Sequence, residues 1–277
     1  TLKEWLLDSE LKKAILSKEY SEFTIDYLEP EALQVGKEIF PNVLQLKIRR
    51  GDYEPNISDL SEFKNLEFLE ITNVAGMTFD LKECTQLKMI KIENSAVKFN
   101  GLGESIECVY LKKNYGSNLL EDGDRKPINL PNIKELILED LTIPHLNLKD
   151  FTKLESLELK GAYIKTMEFG DCIPEIKDKG VISELTFKEK LKSLENINSL
   201  ANQKLVNVIF EAETSVSVLN SLRNQLYDTT FFIQSRFNSD APFQKTNAVV
   251  FMPNSMIRLE GLTGFDAVNS LQFKNVD

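Results

Sequence analysis

Apolar residues recur along this chain with a spacing of 1, 4 and 6. Ile133-Lys-Glu-Leu136-Ile-Leu138 and Leu154-Glu-Ser-Leu157-Glu-Leu159 carry it most plainly. The same pattern is found at Val43/Leu46/Ile48, Leu66/Leu69/Ile71, Leu87/Ile90/Ile92 and Ile106/Val109/Leu111. It continues at Ile182/Leu185/Phe187, Leu205/Val208/Phe210 and Val268/Leu271/Phe273, with a degenerate copy at Tyr227/Thr230/Phe232. Val249-Val-Phe251 holds one more copy without a clear register. Alternation at positions 4 and 6 is the period of a strand buried on one face. Repetition predicts one strand per coil of a stacked fold.

A second pattern precedes several copies. Leu60, Phe63 and Leu66 are three apart, as are Leu81, Cys84 and Leu87; Leu148, Phe151 and Leu154; and Leu262, Phe265 and Val268. These return segments are expected to point inward. From Val43 the first copies start 23, 21 and 19 residues apart. Two longer intervals contain residues 115–127 and 170–180, rich in turn formers and charge, which read as protruding loops.

Residues 1–21 read as an amphipathic helix, with Leu2, Trp5, Leu6, Leu11, Ala14 and Ile15 on one face. The expected role is a cap over the open end of the stack, since a solenoid needs its terminal repeat covered. Phe23-Thr-Ile25-Asp-Tyr27 reads as a short strand, and residues 30–39 as a helix ended by Pro41.

With both patterns in phase, residues 22–277 resemble the leucine-rich repeat family, whose form is LxxLxLxxN/CxL. The resemblance implies an α/β solenoid of about ten irregular repeats, with a parallel sheet on the concave face and short helices, 3₁₀ turns and loops on the convex face. The ninth position departs from the family. It is Asn only at Asn114, and elsewhere Gly51, Val74, Ser95, Leu141, Ala162, Lys190 or Glu213, so uneven turns are expected.

In such a strand, positions 2, 3 and 5 lie on the open face. Position 3 reads Gln45, Phe68, Met89, Cys108, Glu135, Ser156, Glu184, Asn207. Position 5 reads Lys47, Glu70, Lys91, Tyr110, Ile137, Glu158, Thr186, Ile209. Phe68, Met89, Cys108, Tyr110 and Ile137 form a candidate apolar stripe rimmed by Lys47, Glu70, Lys91, Lys112 and Glu135. Exposed aromatic and Met residues ringed by charge are the composition of an interface core. The competing reading is that the loop at 115–127 covers the stripe.

Composition narrows the function classes. The 277 residues carry 33 Lys and Arg against 43 Asp and Glu, a formal charge of −10, which argues against nucleic acid as the partner. No apolar run reaches the roughly 20 residues of a bilayer span. Cys84, Cys108 and Cys172 are scattered and His145 is alone, so neither a zinc site nor a Cys/His or Ser/His mechanism is indicated. Glu121-Asp-Gly-Asp124 lacks the spacing of a calcium loop and reads as a solvated turn. No phosphate-binding glycine motif occurs. No cofactor is expected.

The resulting expectation is a non-enzymatic protein-recognition module binding through the concave sheet. The Lys-, Asn- and Ile-rich composition is consistent with a low-GC bacterium, and the resemblance to leucine-rich repeat proteins then implies an effector or a surface protein, cytoplasmic or exported. Other readings are the substrate-recognition part of a larger enzyme or ligase adaptor, a hydrolase using two carboxylates, and a self-associating solenoid. An uncapped edge at Val268–Phe273 would favour the last.

Overall fold

A computed structural model describes residues 22–25, 40–49, 57–113, 130–222, 228–253, 255–258 and 268–274. The expected N-terminal helical cap with Trp5, the helix at 30–39, the loop at 115–127 and Asn114 all lie outside the described residues. The chain divides into two compact units, Thr1–Glu139 and Asp140–Asp277.

In the first unit the strands are β1 (Glu22–Ile25), β2 (Gln45–Ile48), β3 (Ile57–Asp59), β4 (Phe68–Thr72), β5 (Ala75–Asp80), β6 (Met89–Glu93), β7 (Ala96–Asn100), β8 (Cys108–Lys112) and β9 (Glu135–Glu139). Strands β1, β2, β4, β6, β8 and β9 pair in that order, all parallel, and form a first column. The register follows the repeat: Leu46, Leu69, Ile90, Val109 and Leu136 stand side by side. These residues, and Ile48, Ile71, Ile92, Leu111 and Leu138 two positions on, are buried. The 1-4-6 pattern therefore builds one continuous core wall.

After β4, β6 and β8 the chain turns a corner on a residue with positive φ: Asn73 (57°), Asn94 (48°), Lys113 (45°). Asn tolerates this left-handed conformation better than most residues. The Asn94 side-chain amide donates to Asn73 Oδ1 at 2.6 Å, linking neighbouring corners. The next residue, the ninth position, points inward: Val74 and Ser95 are buried. Only Ser95 offers a polar atom there, accepting from the Val74 amide at 3.0 Å and donating to Glu93 O at 2.8 Å. At these two coils the position after the corner is filled by a small buried residue, and the side-chain bond between corners is made one residue earlier, by Asn73 and Asn94.

Beyond the corner lies a second column of strands, where helices or loops were expected. β3, β5 and β7 are parallel and bury Met77, Phe79, Val97 and Phe99. The α/β expectation is thus corrected. Alternating residues such as Ala96-Val-Lys-Phe-Asn100 favour a half-buried strand, and Phe79 and Phe99 stack at 5.9 Å. The chain returns through successive i to i+3 turns, Phe63 N to Leu60 O (2.9 Å) and Leu66 N to Phe63 O (3.0 Å), repeated at Leu81/Cys84/Leu87. Such turns bring residues three apart to the same side, so all six of these residues are buried.

The second unit contains β10 (Thr142–Asn147), β11 (Ser156–Lys160), β12 (Tyr163–Phe169), β13 (Glu175–Lys177), β14 (Val181–Phe187), β15 (Lys204–Phe210), β16 (Thr214–Ser215), the short helix α1 (Val216–Ser221), β17 (Thr230–Ile233), β18 (Phe237–Asn238), β19 (Thr246–Phe251), β20 (Ile257–Arg258) and β21 (Val268–Phe273). β10, β12, β14, β15, β17, β19 and β21 form one parallel sheet, and β16, β18 and β20 a smaller one. Phe169, Phe187 and Phe210 stack along the larger sheet at 6.0 and 5.0 Å. Across both units the described coils amount to about nine turns with very little helix.

The register of this unit corrects the sequence reading. Glu184 pairs with Thr166 and Asn207 with Glu184, whereas Ser156 pairs with Glu175. Likewise Thr186 pairs with Glu168 and Ile209 with Thr186, while Glu158 pairs with Lys177. The copies at 182 and 205 therefore belong to the second column of this unit, and Glu175-Ile-Lys177, inside the expected loop at 170–180, is its first-column strand. Ile176 is buried at its centre. At 227–232 the register shifts by one: Phe231 and Ile233, not Thr230 and Phe232, are the core residues. Val249 and Phe251 pair with Phe231 and Ile233, which places the copy that had no clear register.

Candidate functional site

The stripe residues fall on adjacent first-column strands of the first unit. Gln45, Phe68, Met89, Cys108 and Glu135 form one row, and Lys47, Glu70, Lys91, Tyr110 and Ile137 the next. A third row runs Thr72, Glu93, Lys112, Glu139. The alternation that buries Leu69, Ile90, Val109 and Leu136 turns these side chains to the other face of the sheet, where Phe68, Met89, Cys108, Tyr110 and Ile137 are all partly exposed. Neighbouring strands lie about 4.8 Å apart, so each row is a contiguous surface.

The charges on this face bond to one another. Lys47 pairs with Glu22, Lys91 with Glu70 at 2.8 Å, and Lys112 with Glu139 at 3.0 Å and Glu93 at 3.8 Å. Tyr110 Oη donates to Glu139 Oε2 at 2.5 Å, while the Lys91 ammonium sits 5.6 Å from the Tyr110 ring centre. Cys108 Sγ lies 3.5 Å from Glu135 Oε2. Tyr110 is thus fixed from both sides, its ring by a cation and its hydroxyl by a carboxylate. A side chain already held in place loses little freedom on contact with a partner.

The other candidate groups do not converge on chemistry. Cys84 is buried, its thiol directed at Leu60 O (3.4 Å). His145 Nδ1 is 2.7 Å from Thr166 Oγ1. Cys172 is exposed beside Asp171, whose carboxylate pushes the thiol above its ordinary value. Among the described residues, no three His, Cys, Asp or Glu side chains are grouped to hold a metal ion, and no helix is long and apolar enough to cross a membrane.

A cleft in the second unit went unseen in the sequence. It has about 490 Å³ of room, with Leu191, Leu194 and Val218 among its apolar walls and Lys190, Glu213 and Asp240 among its polar ones. Lys190 Nζ is 3.1 Å from Glu213 Oε1 and holds that carboxyl below the ordinary carboxylate range. Burial would raise Asp240. Hydrogen bonds from the Ser217 amide (3.0 Å) and the Ser215 and Ser217 hydroxyls outweigh it and lower the group. Three successive coils build the cleft, so no local motif could announce it.

No protein-family model matches the chain, and no curated protein matches it in sequence. Among solved structures, the chain is similar to an internalin (inlF) from Listeria monocytogenes strain 4b F2365, at 15% identity over 98% of this chain and 96% of that one, with a TM-score of 0.29. A likeness that weak carries no argument. The strand pairings establish the fold: parallel β-solenoid coils in each unit, with the LxxLxL strands forming the first column in the first unit and falling in both columns in the second.

Proposed function

We propose that the first unit is a protein-recognition module whose contact surface is the open face of its first-column sheet. One observation carries the reading. Phe68, Met89, Cys108, Tyr110 and Ile137, from four adjacent strands, stay partly exposed on one sheet face while the alternate residues fill the core. A chain under no demand on that face would place polar residues there, as one-sided sheets do. The apolar part supplies contact area. The internally paired ladder of Lys47, Glu70, Lys91, Lys112 and Glu135 with its neighbours supplies orientation, since rim charges set register more than affinity. The partner is a protein whose apolar patch meets the Phe68–Met89–Cys108 row. No catalytic residue is assigned.

The test is photo-crosslinking in native lysate. A photoreactive phenylalanine analogue replaces Met89 in one version and Val206, which is 43% exposed in the second unit, in another. The proposal expects one discrete adduct from position 89 and none of the same mass from position 206. No adduct at 89, or the same adducts at both positions, would defeat it.

A further inference from the structure

The cleft of the second unit has a local cause. Phe187 and Phe210 are paired across β14 and β15, and both are buried. Beyond Phe210 the chain continues into β16, which heads the sheet β16-β18-β20, with the Thr214 amide donating to Arg236 O at 3.0 Å. Beyond Phe187 it runs out instead as Lys188-Glu-Lys-Leu-Lys-Ser193, which forms no strand. Its alternating charges suit a solvated loop better than a pleated, half-buried surface. The loop and β16 therefore part, and the space between them is the cleft. Leu191 and Leu194 wall it from the loop, Val218 from α1, and Glu213 and Thr214 from the start of β16. Its volume of about 490 Å³ is that of a small-molecule pocket.

Two groups in the wall have bonding capacity beyond what the protein uses. Thr214 is 5% exposed, and its buried hydroxyl oxygen meets no hydrogen-bond partner among the described residues. Buried polar groups are nearly always paired, so one left over in a cleft wall points to a bound group. Glu213 is the second. Lys190 Nζ and Asn238 Nδ2 both bond to its Oε1, each at 3.1 Å, while a carboxylate has two oxygens to offer. Oε2 is left for a further donor. Asp240, by contrast, is committed to the Ser217 amide and to the Ser215 and Ser217 hydroxyls. The charge of the wall selects the kind of donor. Glu189, Glu213 and Asp240 face only Lys190, and that ammonium is already paired with Glu213. Such a wall attracts a cation and repels an anion.

We infer that the cleft binds a small organic amine, its protonated head donating to Glu213 Oε2 and Thr214 Oγ1 and its apolar body lying against Leu191, Leu194 and Val218. An ammonium has three hydrogens to donate and no acceptor, which matches one carboxylate oxygen and one hydroxyl oxygen. Rotation about a single bond exchanges the Thr214 hydroxyl with its methyl group, so the oxygen can turn to the head. The bond to Glu213 is charge-assisted on both sides and is the stronger of the two. An alcohol of the same shape keeps the apolar contact and loses that bond; a carboxylate meets like charge. The cleft lies wholly in the second unit, so this inference is independent of the recognition face proposed for the first.

Saturation-transfer NMR on the full chain at neutral pH tests it, with phenethylamine as the probe and phenethyl alcohol and hydrocinnamate as its neutral and anionic counterparts. Phenethylamine should bind with a Kd of about 0.1–1 mM, the alcohol roughly tenfold more weakly, and hydrocinnamate not at all. Glu213→Gln should weaken the amine about tenfold and Thr214→Val about threefold. Glu155→Gln, exposed and outside the cleft, should bind as the parent does. Circular dichroism shows whether each variant is folded, and the comparison of amine with alcohol on the parent chain needs no variant. No transfer to phenethylamine, equal binding of amine and alcohol, or a folded Glu213→Gln or Thr214→Val chain that binds the amine as the parent does would overturn the inference.

Discussion

Truncating Phe187 to alanine removes the middle ring of the Phe169–Phe187–Phe210 stack. Phe187 is 1% exposed, and its ring centre lies 6.0 Å from Phe169 and 5.0 Å from Phe210. Returning a buried Phe side chain to water costs about 1.5–3 kcal/mol. Each aromatic contact adds about 0.5–1.5 kcal/mol. The vacated space adds a cavity penalty, and the total falls in the range of about 3–5 kcal/mol found for such truncations. The assay is urea unfolding followed by far-ultraviolet circular dichroism, with Val206→Ala in the same unit as a surface control expected within about 0.5 kcal/mol of the parent. A double-mutant cycle of Phe169→Leu and Phe187→Leu then reads the register, because only residues in contact couple. Coupling of about 0.5–1.5 kcal/mol is expected. A Phe187→Ala cost below about 1 kcal/mol, or no coupling to Phe169, would refute the placement of β14 beside β12.

Three further outcomes follow from single contacts. Gly101→Ala should destabilise the first unit by about 2 kcal/mol in the same unfolding assay, because Gly101 has φ +70° and an added Cβ would come 2.3 Å from Lys82 Cγ and 2.9 Å from its Cα. Tyr110→Phe loses the 2.5 Å bond to Glu139 and should cost about 0.5–1 kcal/mol, the site being partly exposed. Asp240 anchors the first turn of α1 through the Ser217 amide, and Asp240→Ala should cost about 1 kcal/mol at neutral pH. Its folded-state carboxyl titrates below the ordinary 3.8, so its stabilising effect is present above that value and fades as pH falls through the lower folded one. The parent and Asp240→Ala curves should therefore converge in acid.

Much of the first unit was legible in the sequence. Leu46/Ile48, Leu69/Ile71, Ile90/Ile92 and their successors alternate because one sheet face is buried, and pairing preserves that alternation from coil to coil. The return turns were legible for the same reason, since Leu60, Phe63 and Leu66 must point one way. The second column was missed, although Met77-Thr-Phe79 and Val97-Lys-Phe99 alternate like strands. Each alternation spans only a few residues, too short to separate a strand from a turn by period alone. In the second unit both columns border the same core and use the same 1-4-6 spacing: Ile164/Met167/Phe169 is as regular as Leu154/Leu157/Leu159. Spacing alone cannot tell which column a copy belongs to. The long interval before Ile182 therefore has the look of an insertion, although it holds the three-residue strand β13. The stripe was legible as a row of residues. Its bonding was not: the fixing of Tyr110 by Lys91 and Glu139 joins residues 19 and 29 positions away in sequence.

The proposed recognition face is tested most directly by affinity for a partner captured at position 89. Phe68→Ser with Met89→Ser strips the apolar row while leaving the core residues Leu69 and Ile90 in place. Binding measured by biolayer interferometry should weaken at least about tenfold, the loss of roughly 1.4 kcal/mol or more expected of central interface residues. Val206→Ser, in the other unit, should bind as the parent does. Equal affinities for the parent and the folded double variant would contradict the assignment of this face.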